Sequence, residues 1–209
     1  VSEEAELRTG AATLGVTLDA AQAAALLRLI DLLQAGNARF NLTAIRDRDG
    51  ILRKHLLDSL SVQPHLDGIR VADIGSGAGF PGLPLAIVEP QRRFTLVEAT
   101  GKKARFIAET VAALALVNVE VVNSRAEAYR PARGFDCVVA RALASLDAFT
   151  GFAGHLTVPG GRLLAMKGRR PDAEIEALPR GFRVAAVHRL QVPGLPDERH
   201  LVEITRDGR

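Results

Sequence analysis

Behind the apolar stretch Val71-Ala72-Asp73-Ile74 stand Gly75, Gly77 and Gly79 at every second position, and Phe80-Pro81-Gly82 leads into another apolar run. This spacing turns a chain from a buried strand into a helix. Glycine lacks a Cβ, so the loop can reach positive φ and its backbone can approach a ligand closely. Short runs of branched apolar residues then alternate with helical stretches: strands near 70–74, 94–98, 119–122 and 135–140, and helices over 82–89, 101–116 and 146–156. The alternation predicts an α/β fold, a doubly wound, mainly parallel sheet with helices on both faces. Pro159-Gly160-Gly161 makes a turn ahead of a fifth strand at 162–167, and strands near 182–191 and 200–205 follow without a long helix between them. That last pair predicts an antiparallel hairpin at a sheet edge, and it brings the sheet to seven strands.

Ahead of the glycine loop the chain reads as helical. Asp19 and Gln22 resemble a capping box, and Leu26, Leu29, Ile30 and Leu33 recur at helical spacing, so a helix is predicted over 19–35. Ile51, Leu52, Leu56, Leu57 and Leu60 mark another, ended by Pro64. Residues 1–66 are therefore expected to form a helical extension packed as one unit with a ligand-binding sheet domain over 67–209. At 209 residues and 47% apolar content the chain can bury one substantial core. The acidic start lacks the build of a signal peptide, and no run approaches the roughly 18 apolar residues of a membrane span, so a cytoplasmic protein without membrane contact is expected. The lone Cys137 lies inside the apolar run Phe135–Val139, where core packing is its expected use.

The glycine run admits two readings. Gly77-x-Gly79-x-x-Gly82, with Glu98 about 20 residues beyond the loop, matches the fingerprint of a nicotinamide dinucleotide site. Asp73-x-Gly75-x-Gly77-x-Gly79 instead matches the acid-led loop that binds S-adenosylmethionine, whose sulfonium and ammonium suit acidic and carbonyl neighbours. There Asp73, Gly75, Ser76, Gly77 and Gly79 face the methionine portion, and Glu98 at the end of the second strand accepts from the ribose hydroxyls. Ala126 and Glu127 offer an N–H and a carboxylate to the adenine edge. Pro159-Gly160-Gly161-Arg162-Leu163-Leu164 adds a turn frequent before the fifth strand of methyltransferases. Together these features favour the methyl donor.

The acceptor atom is read by elimination. Methylation of exocyclic amines uses an Asn or Asp followed by Pro-Pro and an aromatic residue after the fourth strand, where this chain has Ala140-Arg141-Ala142-Leu143. Carbon methylation needs a cysteine nucleophile, and Cys137 sits in a predicted buried strand. There remain an atom with its own lone pair, such as a purine N7, and a hydroxyl served by a general base. The formal net charge is only +3, but the cations cluster. Arg39, Arg46, Arg48, Arg53 and Lys54 lie within 39–55, Lys102, Lys103 and Arg105 open a helix, and Arg162, Lys167, Arg169 and Arg170 follow. If they converge on one face they form a phosphate-binding surface. An RNA-binding module without turnover and a small-molecule methyltransferase are the alternatives to an RNA methyltransferase.

Asn41-Leu42-Thr43, His55-Leu56-Leu57-Asp58-Ser59, Asp73 to Gly82, Lys102-Lys103 to Phe106, Ser124-Arg125-Ala126-Glu127, Arg141-Ala142, Met166-Lys167-Gly168 and Glu198-Arg199-His200-Leu201 occur here in this order. In this they resemble the RsmG, or GidB, family over nearly the whole chain. The resemblance implies a class I S-adenosylmethionine-dependent methyltransferase of Rossmann-like fold. It implies transfer to N7 of one guanine of small-subunit (16S) ribosomal RNA, with no metal and no catalytic base, by a protein expected to be a monomer. Carried over by position, cofactor contacts fall on Gly75, Phe80, Ala126, Glu127 and Arg141. Contacts to RNA are expected at His55, Lys102, Arg105, Arg141, Lys167 and Arg199. The chain departs from the family at Gly36, where tryptophan is common, and at Phe40, where tyrosine is. Glycine costs a helix about 1 kcal/mol relative to alanine, so the helix is predicted to end or bend there.

Overall fold

Residues 2–142 and 145–207 are described by the computed structural model, so Leu143, the last residue of the stretch examined for the amine signature, lies outside the described residues. Seven strands form one sheet: β1 (Arg70–Ile74), β2 (Arg93–Val97), β3 (Val119–Val122), β4 (Phe135–Arg141), β5 (Thr157–Lys167), β6 (Phe182–Leu190) and β7 (Arg199–Arg206). Their order is β3-β2-β1-β4-β5-β7-β6. The first five pair in parallel, and β7 runs antiparallel between β5 and β6. The predicted hairpin is present, but its second strand is inserted into the sheet and its first becomes the edge. β5 also begins ahead of the predicted 162. Phe135 pairs with Thr157 while Cys137 pairs with Arg162, so Pro159-Gly160-Gly161 bulges out within the strand instead of preceding it.

Strand alternation sorts the core into two faces. Val71, Cys137, Val139, Leu164 and Met166 pack into one cluster, while Ala72, Ile74, Val138, Ala140, Leu163 and Ala165 pack into the other. The first face is covered by the N-terminal helices. These are α1 (Glu3–Thr13), α2 (Ala20–Phe40) and α3, in which Arg48–Ile51, the π-helical turn Leu52–Leu57 and Asp58–Leu60 run on without a break. Leu26, Leu29, Ile30 and Leu33 of α2 are fully buried there, each contributing about 2 kcal/mol relative to exposure. The remaining helices are α4 (Gly82–Val88), α5 (Gly101–Ala113), α6 (Leu146–Ala153) and the short α7 (Asp172–Glu176). Phe149 and Ala153 of α6 fill the second face. Helix α1 has almost no signature in the sequence, because only Leu7, Gly10 and Ala11 of its eleven residues are buried.

Helix α2 corrects the expectation at Gly36. The capping box holds, with Asp19 accepting from the Gln22 N–H at 2.7 Å and Gln22 from the Asp19 N–H at 3.0 Å. The helix then passes straight through Gly36 to Phe40. Its glycine is a packing residue, since a methyl group there would collide with the buried Phe106 ring of α5. What ends the helix is Asn41 in the left-handed region at φ 53°. The Asn37 carboxamide then fastens the following turn, accepting from the N–H groups of Leu42 (2.6 Å) and Thr43 (2.9 Å) and donating to the Thr43 carbonyl (3.0 Å). Gly36→Ala is expected to destabilise the protein by about 1 kcal/mol net, overpacking outweighing the gain in helix propensity. The loss should shrink in a Phe106→Leu background, as measured by denaturant unfolding of the four proteins of the cycle.

Candidate active site

The loops at the carboxyl ends of β1 to β4 surround a cleft of about 300 Å³ lined by Gly75, Val97, Ala126, Glu127, Arg141 and Ala142, among others. Asp73 pins its floor. The carboxylate is wholly buried on the last turn of β1, with Oδ2 accepting from the Gly82 N–H at 2.8 Å and Oδ1 left without a partner. Burial pushes this carboxyl up to about 7, against the restraining pull of the Gly82 N–H and Arg141. Ser76 is turned inward, its hydroxyl donating to the Asp73 carbonyl at 2.9 Å, so it braces the loop. Gly75 and Gly77 have φ of 69° and 62°, and a Cβ on Gly75 would meet nothing within 4 Å, leaving backbone open to a ligand. Gly79 serves packing instead, because a Cβ there would run into Leu83.

Glu98 follows β2 directly and is buried. Its two carboxylate oxygens accept from the N–H groups of Gly77 (2.8 Å) and Thr100 (2.7 Å), which ties the second strand to the glycine loop and leaves one lone pair on each oxygen. Ala126 is buried at the start of a 3-10 turn and Glu127 is exposed beside it. These residues fit S-adenosylmethionine: Gly75 leaves backbone open to a ligand, the acid buried at the root of the loop keeps one oxygen unpartnered, and Glu98 and Glu127 add carboxylates after β2 and β3.

A second cleft of about 430 Å³ adjoins the first and shares Arg141 and Ala142 with it. Lys54, His55, Asp58, Met166, Lys167, Arg199 and His200 line it as well. The π-helical turn of α3, in which the Asp58 N–H reaches the Arg53 carbonyl, delivers both His55 and Asp58 to this wall. Asp58 bridges two arginines, Arg199 at 3.0 Å and Arg141 at 3.4 Å. Burial raises its carboxyl above the ordinary aspartate range despite both cations. Arg141 also donates to His55 Nδ1 at 3.3 Å, which places the ring proton on Nε2, facing Thr43 Oγ1 at 2.9 Å. The imidazole stacks on the buried Phe80 ring with centroids 4.8 Å apart, and Arg141 lies over the same ring. Burial and the Arg141 charge push His55 down to about 4, so it is neutral with both nitrogens engaged.

Of the residues expected to meet RNA, His55, Arg141, Lys167 and Arg199 therefore converge, while Lys102 and Arg105 stand exposed on the opening turns of α5 and line neither cleft. The three basic segments do not merge into one free surface. Arg48 and Arg53 are paired with Glu3, Asp31 and Glu6, Arg162 with Asp67 and Glu203, and Arg39 with Glu109, and Lys167 itself meets Glu174 at 2.7 Å. Cys137 is buried in β4 with its thiol pushed up to about 12, consistent with core packing. Sequence reading gave Asp58 and Thr43 no role of their own, although both stand in segments that carry the family resemblance. The signal for Asp58 was an acid among Leu56, Leu57 and Leu60, on a helix otherwise patterned for burial. Among the described residues no group of three His, Cys, Asp or Glu could hold a metal ion, and no helix is long and apolar enough to cross a membrane.

The sheet order and the glycine cradle after β1 define the class, that of the S-adenosylmethionine-dependent methyltransferase fold. The glycopeptide N-methyltransferase MtfA complexed with S-adenosyl-L-homocysteine superposes with a TM-score of 0.64, at 14% identity over 83% of this chain and 96% of that one. The family profile of GidB, rRNA small subunit methyltransferase G, matches residues 22–202, and the chain belongs to that family. The ribosomal RNA small subunit methyltransferase G of Xanthomonas campestris pv. campestris strain 8004 is 52% identical, covering 91% of this chain and 90% of its own length. That of Pseudomonas paraeruginosa strain PA7 is 48% identical over 96% and 94%.

His55 supplies a pH test. Its pKa falls from 6.5 in the unfolded chain to about 4 in the fold, so its contribution is complete above pH 6.5 and is lost as pH drops toward 4. The difference corresponds to about 3 kcal/mol. Asp73, raised in the fold, acts in the opposite sense, and comparison with His55→Gln cancels it. Between pH 6.5 and 4, wild type should lose about 3 kcal/mol more stability than His55→Gln in urea titrations; parallel curves would refute the buried neutral imidazole.

Proposed function

We propose that this protein transfers a methyl group from S-adenosyl-L-methionine to N7 of one guanine in small-subunit ribosomal RNA, acting as a cytoplasmic monomer. Membership of the GidB family carries this reading. Bound in the first cleft, the cofactor supplies an activated methyl group. Gly75 and Gly77 open the backbone of the loop to its methionine portion, Ser76 and Gly79 hold that loop in shape, and Asp73, buried at the loop's root with Oδ1 unpartnered, is the acceptor assigned to the ammonium. Glu98 uses its spare lone pairs for ribose hydroxyls, and Ala126 and Glu127 serve the adenine edge. Arg141 stands where the two clefts meet, packed over the buried Phe80 ring.

Guanine N7 is unprotonated at neutral pH, so an in-line transfer needs positioning and no proton acceptor. The wall fits that requirement: His55 is neutral, and its ring nitrogens are both occupied by Arg141 and Thr43. Arg141 has a planar fork suited to guanine O6, and Lys167 and Arg199 are placed for the backbone around the target base. Lys102 and Arg105 serve more distant phosphates. The helical extension 1–66 and the sheet domain 67–209 act as one unit, since α3 contributes His55 and Asp58 to the wall.

Mass-spectrometric mapping of ribosomal RNA nucleosides with and without the protein tests the reaction; loss of one N7-methylguanosine in its absence is expected, and an unchanged map refutes it. The cradle is tested apart. Gly75→Ala puts a methyl into the open space of the loop at φ 69°. Calorimetry with S-adenosylmethionine should give a Kd raised at least about tenfold, with a stability loss of only about 1–2 kcal/mol for the left-handed alanine.

A further inference from the structure

The carboxylate of Asp58 has no part in the expected machinery of either cleft, yet it pairs with an arginine that lines both and with one that lines the second. Its side chain is 5% exposed, and the arginines at its two oxygens come from two different strands of the sheet, far apart in sequence. Arg141 ends β4 and lines both clefts, whereas Arg199 opens β7 and lines only the second. Neither guanidinium has another acid within ion-pair distance among the described residues. Arg141 otherwise meets the Lys54 carbonyl and His55, and Arg199 the Glu198 carbonyl. Lys54, on the same wall, joins no ion pair among the described residues and adds a further positive charge. Two arginines thus share one buried carboxylate on a helix of the N-terminal extension, with Lys54 beside them on the cleft wall.

We infer that Asp58 is a positioning residue, which fixes Arg141 against the cofactor cleft and Arg199 against the RNA cleft and so registers the two sites on one another. The inference rests on the methyl-transfer reading for its RNA half only. Flexible guanidiniums released from Asp58 repel one another and sample many rotamers, and a purine presented to the methyl group then loses its line of attack. Asp58 touches no reactant in this scheme; its effect passes through the two arginines.

Asp58→Asn separates positioning from general damage, because it raises the positive charge of the cleft. Binding of a full-length small-subunit ribosomal RNA transcript should be unchanged or tighter, since phosphate attraction rises with positive charge. Under RNA saturation kcat should fall at least about tenfold, and the Kd for S-adenosylmethionine should rise about tenfold, the scale of a lost charge-assisted hydrogen bond. Cofactor affinity within twofold of wild type, or RNA binding lost together with turnover, overturns the proposal. Should Asp58→Asn fail to fold, Asp58→Asn/Arg199→Gln keeps the net charge and is read against Arg199→Gln alone. A further rise of about tenfold in the cofactor Kd supports Asp58 acting through Arg141, and equal Kd values overturn it. Wild-type protein run beside them that binds cofactor but leaves N7 unmodified defeats the substrate assignment, while the cofactor arm still decides the role of Asp58.

Discussion

A single buried carboxylate, Asp73, holds the turn from which the site is built. One oxygen accepts from the Gly82 N–H at the mouth of α4, and its own carbonyl accepts from Ser76, so strand end, loop and helix start are tied within ten residues. Burying an acid is costly unless its lone pairs are used, and here one oxygen is left over. The protein retains that cost at the root of the glycine loop. Gly82 is forced by the same arrangement, because a Cβ there would stand 2.7 Å from Asp73 Oδ2 and 2.8 Å from Leu96. The glycines of this run are thus not equivalent: Gly75 and Gly77 open space, while Gly79 and Gly82 close it.

Arg141 links this cradle to the second cleft. It packs over Phe80, which itself stacks on His55, so one cation, one aromatic ring and one imidazole form a continuous wall between the cofactor loop and α3. The neutral state of His55 is a condition of that wall, because a charged imidazole beside Arg141 would add like-charge repulsion to the cost of burial.

The sheet domain was legible because parallel strands buried on both faces leave unbroken apolar runs, and the helices between them carry plain amphipathic stripes. The glycine loop was legible because backbone requirements, glycine at positive φ and acids at strand ends, are written locally. Features that depend on distant partners were not. Gly36 looks like a helix breaker until the Phe106 ring of α5 is placed beside it, and β7 reads as a hairpin arm until β5 offers it a second partner. Charge counting failed for the same reason. Arg48 and Arg53 look like free cations in their own segment, but Glu3, Glu6 and Asp31, far away in sequence, neutralise them.

Those ion pairs give the N-terminal helices a part in the site that their sequence does not announce. Arg48 ahead of the π-helical turn of α3 and Arg53 within it tether this helix to α1 and α2 at 2.6–2.9 Å. Partly exposed pairs of this kind contribute modestly to stability, about 0.2–1 kcal/mol each. Their larger effect is geometric, because they fix the rotation of the helix that carries His55 and Asp58 toward Arg141. A π-helical turn forgoes the regular i to i−4 bonding pattern, and it persists here because Leu52, Leu56 and Leu57 are buried in the core while Arg48 and Arg53 are held from outside. The extension therefore supplies one wall of the second cleft, and its buried leucines share a single core with the sheet, so the two parts fold as one body.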